Sequence, residues 1–209
     1  MEKKKDLFEG GKKLPVMEEF YSIQGEGFNM GKAAYFLRVG GCDVGCAWCD
    51  SKESWNADLF PPVDVDPVIE RIAQVPAKTV VVTGGEPSNY PLDYLTQRLK
   101  EKGVTTMLET SGTNLLTGSW DWICLSPKPF QPPLEENYLK ADELKVIIQK
   151  PADLKWAEKN ASKVSKNCRL FLQPEWSVAD EIMETITQYV QEHPQWRVSL
   201  QAHKYMRIP

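Results

Sequence analysis

Three of the five cysteines in the chain lie within eight residues, and this grouping constrains the chain more than any other feature. They are Cys42, Cys46 and Cys49, spaced C-x3-C-x2-C within a stretch that we call the cluster loop (residues 40–51). Three soft thiolates on one short loop can bind three corners of an iron–sulfur cluster and leave the fourth iron open for chemistry. A structural zinc site would need a fourth Cys or His nearby. The remaining candidates are distant in sequence: Cys124, Cys168, His193 and His203.

The composition is that of an ordinary soluble globular protein. The 209 residues are 42% hydrophobic and carry a net charge of −4, enough for one domain with a proper core. There is no basic excess for binding nucleic acid. No apolar run approaches the roughly 20 residues that cross a bilayer, and the N-terminus lacks the apolar stretch of a signal peptide. The number of cysteines is odd and three of them are clustered, which argues against a disulfide framework and favours a reducing compartment. We therefore expect a cytoplasmic protein without a nucleic-acid or membrane partner.

Strand-like and helix-like patterns alternate along most of the chain. Helices are predicted from Asp66 as N-cap, over 92–102, after Pro151, and from Ser177 as N-cap to about Glu192. This alternation predicts a parallel sheet with right-handed crossovers, and the chain is short for a closed eightfold barrel. We expect an α/β fold, an incomplete parallel β/α barrel, in a single domain over 15–209 after a mobile tail over 1–14. The predicted strands are 16–21, 33–39, 78–83, 104–110, 122–125, 143–148, 168–173 and 196–201.

Polar segments containing Gly or Pro follow nearly every predicted strand. The carboxyl ends of parallel strands meet at one edge of a sheet, where α/β folds bind ligands. We therefore expect these segments to share one face of the protein. Cys124 and Cys168 lie within strands, and we interpret both as buried, inert thiols. The polar segments are 24–27, the cluster loop, 83–87, 110–113, 126–128 and 173–176.

The cysteine spacing, followed by a strand and Gly84-Gly85-Glu86-Pro87, resembles the radical S-adenosylmethionine superfamily. The resemblance implies the partial barrel of that superfamily. It also implies a [4Fe–4S] cluster whose open iron binds S-adenosylmethionine. Reductive cleavage of S-adenosylmethionine would then generate a radical that takes a hydrogen atom from the substrate.

Further motifs over residues 15–209 resemble the 7-carboxy-7-deazaguanine synthase family. The resemblance implies a lyase that converts 6-carboxy-5,6,7,8-tetrahydropterin into 7-carboxy-7-deazaguanine with loss of ammonia. Such enzymes serve the biosynthesis of queuosine and other 7-deazapurines. The resemblance further implies Mg2+, a homodimer, and an electron donor such as flavodoxin or ferredoxin. The motifs are 20–27, 38–42, 49–51, 83–87, 109–113, 126–128 and the ending 203–209.

The same resemblance implies roles for individual residues. The cluster ligands, at the catalytic centre, are Cys42, Cys46 and Cys49. Ser51, where some relatives have Thr, would ligate Mg2+, which prefers oxygen ligands. The implied S-adenosylmethionine contacts are Trp48, Cys49, Asp50, Gly85, Glu86, Ser126, Pro127, Lys128, Gln173, Pro174, Glu175 and Trp176. The implied substrate contacts are Ile23, Gln24, Gly25, Glu26, Arg38, Thr83 and the carboxylate of Pro209.

Two alternatives stay open at this point. The first is another radical S-adenosylmethionine enzyme, such as a glycyl-radical activase, which would share the cluster loop. Nothing in that activity requires the 24–27 motif or the 203–209 ending. The second is a small α/β module with a structural zinc or iron site, which would need the missing fourth ligand.

Overall fold

The computed structural model describes residues 6–209. These residues form two compact units whose segments alternate along the chain. The first unit comprises residues 6–21, Ala34–Leu108 and Leu116–Asp121. The second comprises Ser22–Ala33, Glu109–Leu115 and Trp122–Pro209. The single domain expected over 15–209 stays a prediction.

Strands and helices alternate as predicted. The strands are β1 (Lys13–Leu14), β2 (Val16–Ile23), β3 (Ala33–Val39), β4 (Val63–Asp64), β5 (Thr79–Gly84), β6 (Thr105–Thr110), β7 (Trp122–Leu125), β8 (Glu143–Ile148), β9 (Arg169–Pro174) and β10 (Trp196–Val198). The helices are α1 (Asp66–Gln74), α2 (Asp93–Glu101), α3 (Glu135–Tyr138), α4 (Asp153–Ala161), α5 (Ala179–Glu192) and α6 (Ala202–Met206). Within residues 6–209, none of these helices has the length and hydropathy to span a membrane.

The strand ladder of the first unit runs in the order β6-β5-β3-β2. Strand β5 pairs in parallel with both β3 and β6. The β3–β5 register places Arg38 opposite Thr83, at the carboxyl ends of the two strands. Apolar β-branched strands of this kind are buried on both faces, and Val80 and Val82 are fully buried. Helices α1 and α2 contribute further core residues, namely Val68, Ile69, Ile72, Leu95 and Leu99.

The second unit contains the ladder β10-β9-β8-β7. Its three pairings are all parallel. Parallel strands connected by helices confirm the predicted α/β class. Neither ladder closes on itself in the described part of the chain. The core of this unit packs strand residues against α4 and α5, and its fully buried members include Leu144, Val146, Leu172, Ile186 and Trp196.

Most element boundaries agree with the sequence prediction, and the differences lie at helix caps, at the end of the last strand and in the short helices α3 and α6. Strands β3, β7 and β8 have the predicted bounds. Asp66 is the first residue of α1 rather than its cap, and the Asp64 carboxylate accepts the Asp66 N–H at 2.9 Å. Ser177 does not cap α5, because the Glu175 carboxylate accepts the Ser177 N–H at 3.0 Å and starts a 3-10 turn there. The last strand ends at Val198, and α6 was not predicted.

The N-terminal segment differs from the mobile tail predicted over 1–14. Residues 1–5 lie outside the described part of the chain. Strand β1 pairs antiparallel with β4, and Leu14 is fully buried. The Phe8 ring packs edge-on against Tyr90 with ring centroids 5.0 Å apart. Phe8 and Leu14 are apolar residues within the charged sequence that suggested a tail, and both pack against later parts of the chain.

We predict that Leu14→Ala lowers the free energy of unfolding by about 3 kcal/mol, because it removes a fully buried side chain and leaves a cavity. Leu7→Ala is the matched control, since Leu7 is 66% exposed and should change stability by less than about 0.5 kcal/mol. Urea denaturation of both variants checks this. Equal stabilities would contradict the packing of residues 8–14.

Candidate active site

The cluster loop follows β3, and backbone hydrogen bonds hold its base. The Gly85 N–H donates to the Val39 carbonyl at 2.7 Å, and the Glu86 N–H donates to the Gly41 carbonyl at 2.9 Å. On the other side, the Gly41 N–H donates to the Ser54 carbonyl at 2.6 Å. The entry of the loop is therefore fixed by main-chain groups.

Gly84 and Gly85 allow this close backbone approach. A Cβ atom on Gly85 would lie 2.2 Å from the Gly41 carbonyl oxygen and 3.1 Å from Cys42 Cβ. Gly84 has φ +128°, and a Cβ there would lie 2.2 Å from the Val39 carbonyl oxygen. A side chain at either position would displace the strand end or the loop base. The S-adenosylmethionine contact that the resemblance implies for Gly85 stays a prediction, and the structure gives this glycine a packing role.

The three thiols of the cluster loop differ in exposure. Cys46 is buried, whereas Cys42 and Cys49 are half-buried. Burial raises the pKa of the Cys42 thiol, and backbone N–H groups of Val44 and Gly45 partly offset this. The Ser51 N–H donates to Cys49 Sγ at 3.4 Å. Backbone N–H groups directed at sulfur stabilise thiolate ligands of iron–sulfur clusters.

The donor set fits a cluster better than a single metal ion. Within residues 6–209, no three His, Cys, Asp or Glu side chains lie close enough to hold one ion. A cluster is bound at its separate iron corners, so its thiolates need not converge on one point. Trp48 is half-buried beside Cys49, and Asp50 is exposed. Three soft donors with N–H groups around them suit iron–sulfur binding.

Three of the predicted site residues come together beside the cluster loop. Arg38 on β3 lies opposite Thr83 on β5. The Arg38 Nη1 donates to Ser51 Oγ at 3.2 Å, and its Nε donates to Glu18 Oε1 at 2.7 Å. Ser54 in turn donates its hydroxyl to the Ser51 carbonyl at 2.6 Å. The guanidinium is therefore held at a defined place next to a hydroxyl.

Glu86, expected to contact S-adenosylmethionine, has a structural role here. Its side chain is buried, and its carboxylate accepts the Ser88 N–H at 2.8 Å. This bond caps the 3-10 turn Pro87–Asn89. A buried carboxylate that satisfies a turn also keeps the strand end rigid.

In the second unit, the loop from Gln24 to Gly27 is tied to the C-terminal segment. The Ala202 N–H donates to the Gly25 carbonyl at 2.9 Å, and the Gly27 N–H donates to Ser199 Oγ at 2.9 Å. A Cβ on Gly25 would lie 2.4 Å from a ring nitrogen of His203, so glycine is needed there. The predicted loop is therefore ordered by residues far along the chain.

Pro209 lies next to the start of the same loop. Ser22 Oγ donates to the backbone oxygen of Pro209 at 3.4 Å, and Ile23 follows directly. Arg207, in the left-handed region with φ +55°, ends α6 and turns the chain toward this position. The predicted substrate residues Ile23 and Pro209 are thus brought close together.

Lys145 on β8 carries a buried ammonium between two carboxylates. Its Nζ lies 2.5 Å from Glu26 Oε2 and 2.8 Å from Glu109 Oε2. The second oxygen of each carboxylate accepts an amide: Gln201 Nε2 donates to Glu26 at 3.0 Å, and Gln24 Nε2 donates to Glu109 at 3.1 Å. Every oxygen of the two carboxylates therefore has a donor. We call these five residues the carboxylate cluster.

The ammonium decides the charge state of the carboxylate cluster. Burial alone would raise the pKa of Glu26, but Lys145, with help from Gln201, outweighs burial and lowers it to about 2. Burial likewise disfavours the Lys145 ammonium, yet the negative groups around it raise its pKa well above the ordinary value. At neutral pH, Glu26 is ionised and Lys145 is protonated.

Glu143, two residues before Lys145 on β8, behaves differently. Burial raises its pKa to about 7, although Lys145 and two N–H donors oppose that rise. The donors are the Phe28 N–H and the Trp122 Nε1–H, both 3.1 Å from Oε2. The Cys124 thiol donates to Oε1 at 3.6 Å.

Cys124 is fully buried with a strongly raised thiol pKa, as expected for an inert cysteine. Burial raises the pKa of the other predicted inert thiol, Cys168, to about 12.

Two further predicted segments follow β7 and β9. Lys128 Nζ donates to the carbonyl and to the hydroxyl of Ser126, each at 2.7 Å, next to Pro127. Gln173 Oε1 accepts the Ser199 hydroxyl at 2.7 Å. Strand β9 ends at the buried Pro174, and the buried Glu175 leads to Trp176, which is 44% exposed and packs edge-on against Tyr205.

Sequence reasoning missed Glu109, Lys145 and Gln201 as site residues. Glu109 is the last but one residue of β6 and opens the 109–113 motif that the sequence did single out. Lys145 is a charged residue in the otherwise largely apolar strand β8, and it lies two residues from Glu143, on the same face of that strand. Such a charge in a buried parallel strand needs a partner, and this signal could have identified it. The partners were not readable, because they lie 36 and 119 residues away.

Comparison with known proteins agrees with this geometry. Residues 37–125 match the radical SAM superfamily. A 7-carboxy-7-deazaguanine synthase of Flavobacterium psychrophilum is 56% identical over 201 residues, covering 96% of this chain and 95% of the relative. One from a Synechocystis strain is 45% identical and covers 93% of both chains.

A solved structure supports the same relationship. A crystal structure of QueE from Escherichia coli superposes with a TM-score of 0.82 at 27% identity, covering 97% of this chain and 100% of that one. This match confirms the incomplete β/α barrel. The relatives favour neither a glycyl-radical activase nor a structural metal module. The chain is a radical S-adenosylmethionine enzyme and belongs to the 7-carboxy-7-deazaguanine synthase family.

Proposed function

We propose that this chain converts 6-carboxy-5,6,7,8-tetrahydropterin into 7-carboxy-7-deazaguanine with loss of ammonia, in 7-deazapurine biosynthesis. The observation that carries the proposal is the 56% identity to a 7-carboxy-7-deazaguanine synthase across 96% of the chain. The cluster loop, with its base packed on Gly84 and Gly85, supports the chemistry.

The cluster-loop residues Cys42, Cys46 and Cys49 would hold a [4Fe–4S] cluster. When bound, the cluster supplies the electron that cleaves S-adenosylmethionine and begins the reaction. The cluster loop and the segments at the carboxyl ends of β5, β7 and β9 would bind that cofactor. Their structural task is to orient it and to exclude water. The residues proposed for this are Trp48, Cys49, Asp50, Gly85, Glu86, Ser126, Pro127, Lys128, Gln173, Pro174, Glu175 and Trp176.

Substrate contacts are proposed for the residues that the family motifs single out. In the first unit, Arg38 would bind the substrate carboxylate through its guanidinium, and Thr83 stands opposite it in the strand register. In the second unit, Ile23, Gln24, Gly25 and Glu26 form the loop whose order was described above, and Pro209 lies beside it. Backbone and carboxylate acceptors there suit the N–H donors of a pterin.

Mg2+ is a further proposal, with Ser51 as a ligand. Its hydroxyl oxygen lies 3.2 Å from the Arg38 guanidinium. A hard cation prefers such oxygens and keeps several waters. A substrate carboxylate placed at Arg38 would be within reach of the same hydroxyl. One carboxylate could therefore pair with the Arg38 guanidinium and also ligate Mg2+.

The remaining proposals concern partners. We propose a homodimer in the cytoplasm that receives electrons from a flavodoxin or ferredoxin. These assignments are supported by the family relationship.

The proposed reaction is tested by incubating anaerobically reconstituted protein with the pterin, S-adenosylmethionine and a reductant. We expect 7-carboxy-7-deazaguanine and 5′-deoxyadenosine by mass spectrometry. Formation of 5′-deoxyadenosine without the deazaguanine would refute the substrate. A colourless protein with stoichiometric zinc after anaerobic purification would refute the enzyme class.

We predict that Cys46→Ala abolishes both cluster binding and turnover, because two thiolates remain on the loop. Iron content and visible absorption after reconstitution measure the first effect, and product formation measures the second. Cys168→Ala is the matched control, since burial keeps this thiol neutral. Activity retained by Cys46→Ala would refute the ligand assignment.

We predict that Arg38→Lys raises KM for the pterin by at least about tenfold, since a point charge cannot replace the two-pronged guanidinium. The KM for S-adenosylmethionine should stay within about twofold. Arg71→Lys, which alters a surface pair with Glu19, is the matched control. Wild-type kinetics for Arg38→Lys would assign Arg38 a structural role.

We predict that one residue added after Pro209 raises KM for the pterin more than KM for S-adenosylmethionine. The added residue moves the carboxylate away from its position near Ser22. Steady-state kinetics with each substrate varied in turn separates the two effects. An unchanged KM for the pterin would remove the carboxylate from the proposed substrate contacts.

A further inference from the structure

The carboxylate cluster of the second unit contains a lysine that sequence reasoning did not assign to the site. We infer that Lys145 is a positioning residue that holds the carboxylates of Glu26 and Glu109 in place as hydrogen-bond acceptors for the N–H donors of the pterin. This inference rests on the proposed function, because it names how that substrate is recognised.

The geometry of the carboxylate cluster carries the inference. One ammonium bridges two carboxylates that come from the β2–β3 loop and from the end of β6, at 2.5 and 2.8 Å. Each carboxylate has its other oxygen on an amide of Gln201 or Gln24. Glu26 and Gln24 are thereby held in one arrangement. A carboxylate oxygen has two lone pairs, so it can accept a further hydrogen bond without losing these partners.

Lys145 is less exposed than either of the carboxylates that it bridges. The Lys145 side chain is 5% exposed, whereas those of Glu26 and Glu109 are 17% and 21% exposed. The ammonium therefore lies beneath, and the carboxylates retain access from outside. A buried ion pair adds little net stability compared with apolar packing, so stability alone does not account for this arrangement.

The groups facing the ammonium and its carboxylates set the expected pH behaviour. They come from β6, β7, α6 and the residue before α6, besides β8 itself and the β2–β3 loop. Without Lys145, burial would raise the pKa of Glu26. A protonated carboxyl presents an O–H donor to the pterin N–H groups, so pterin binding would weaken as pH falls. The facing groups are Glu143 on β8, Cys124 on β7, Glu109 on β6, Gln24 on the β2–β3 loop, Gln201 before α6 and His203 on α6.

The test measures the Kd of the pterin for cluster-loaded enzyme with S-adenosylmethionine, without reductant, from pH 6 to 9. Lys145→Met and the near-isosteric Lys145→Gln remove the charge, and Lys145→Gln keeps hydrogen-bond donors in case the first variant fails to fold. We expect a Kd at least about tenfold above wild type at pH 6.5, with the deficit shrinking toward pH 9. Lys145→Arg, which restores the charge, should recover the wild-type pH profile.

Lys163→Met is the matched control, since it breaks a Lys–Glu pair on the surface of the same unit. Its pterin Kd should equal that of wild type at every pH. An unchanged Kd in the folded Lys145 variants, or a deficit equal at all pH values, would overturn the positioning role. Wild-type protein that binds the pterin without converting it would refute the proposed function and leave this comparison decisive. Failure of wild type to bind the pterin would refute both.

Discussion

The first unit depends on a main-chain contact between the end of β5 and the base of the cluster loop. Gly85 and Glu86 donate N–H groups to carbonyls on either side of the β3 terminus, at 2.7 and 2.9 Å. A Cβ on either glycine of the pair would collide with those carbonyls. The position of the first cysteine is thus set by backbone geometry before any cofactor is bound. The glycine pair therefore serves the packing of the strand end against the loop base, and a side chain at either position would disturb that contact.

In the second unit, buried ion pairs hold the site residues in place, whereas in the first unit main-chain hydrogen bonds do so. Lys145 and its two carboxylates are held by a closed set of donors and acceptors, with glutamine amides completing both carboxylates. Removing one partner from such a buried set costs about 3–5 kcal/mol, although the complete set contributes little net stability. The arrangement therefore specifies one geometry for the loop that carries Gln24 and Glu26. A rigid pair of acceptors suits recognition of hydrogen-bond donors with little reorganisation.

Sequence reasoning recovered what local pattern determines. Strand-length, largely apolar segments predicted the bounds of β3, β7 and β8, and the alternation of strands and helices predicted the parallel α/β class. The cysteine spacing and the strand-end motifs identified the family. Long-range pairing could not be read in the same way. Lys145 meets Glu26 across 119 residues, and Leu14 enters a core formed by later segments. Capping by Glu86 and Glu175 was missed because motif identity suggested ligand contact and gave no geometry.

The environment of Glu143 has a consequence for any measurement of binding heat. Its pKa of about 7 means that, near neutral pH, the protein population is divided between two protonation states at one buried site. A ligand that places charge near Lys145 or Glu109 shifts that division, since both groups act on Glu143. Binding is then accompanied by proton exchange with the buffer. Calorimetric enthalpies for this enzyme will therefore depend on the ionisation enthalpy of the buffer, and the intrinsic value requires extrapolation across several buffers.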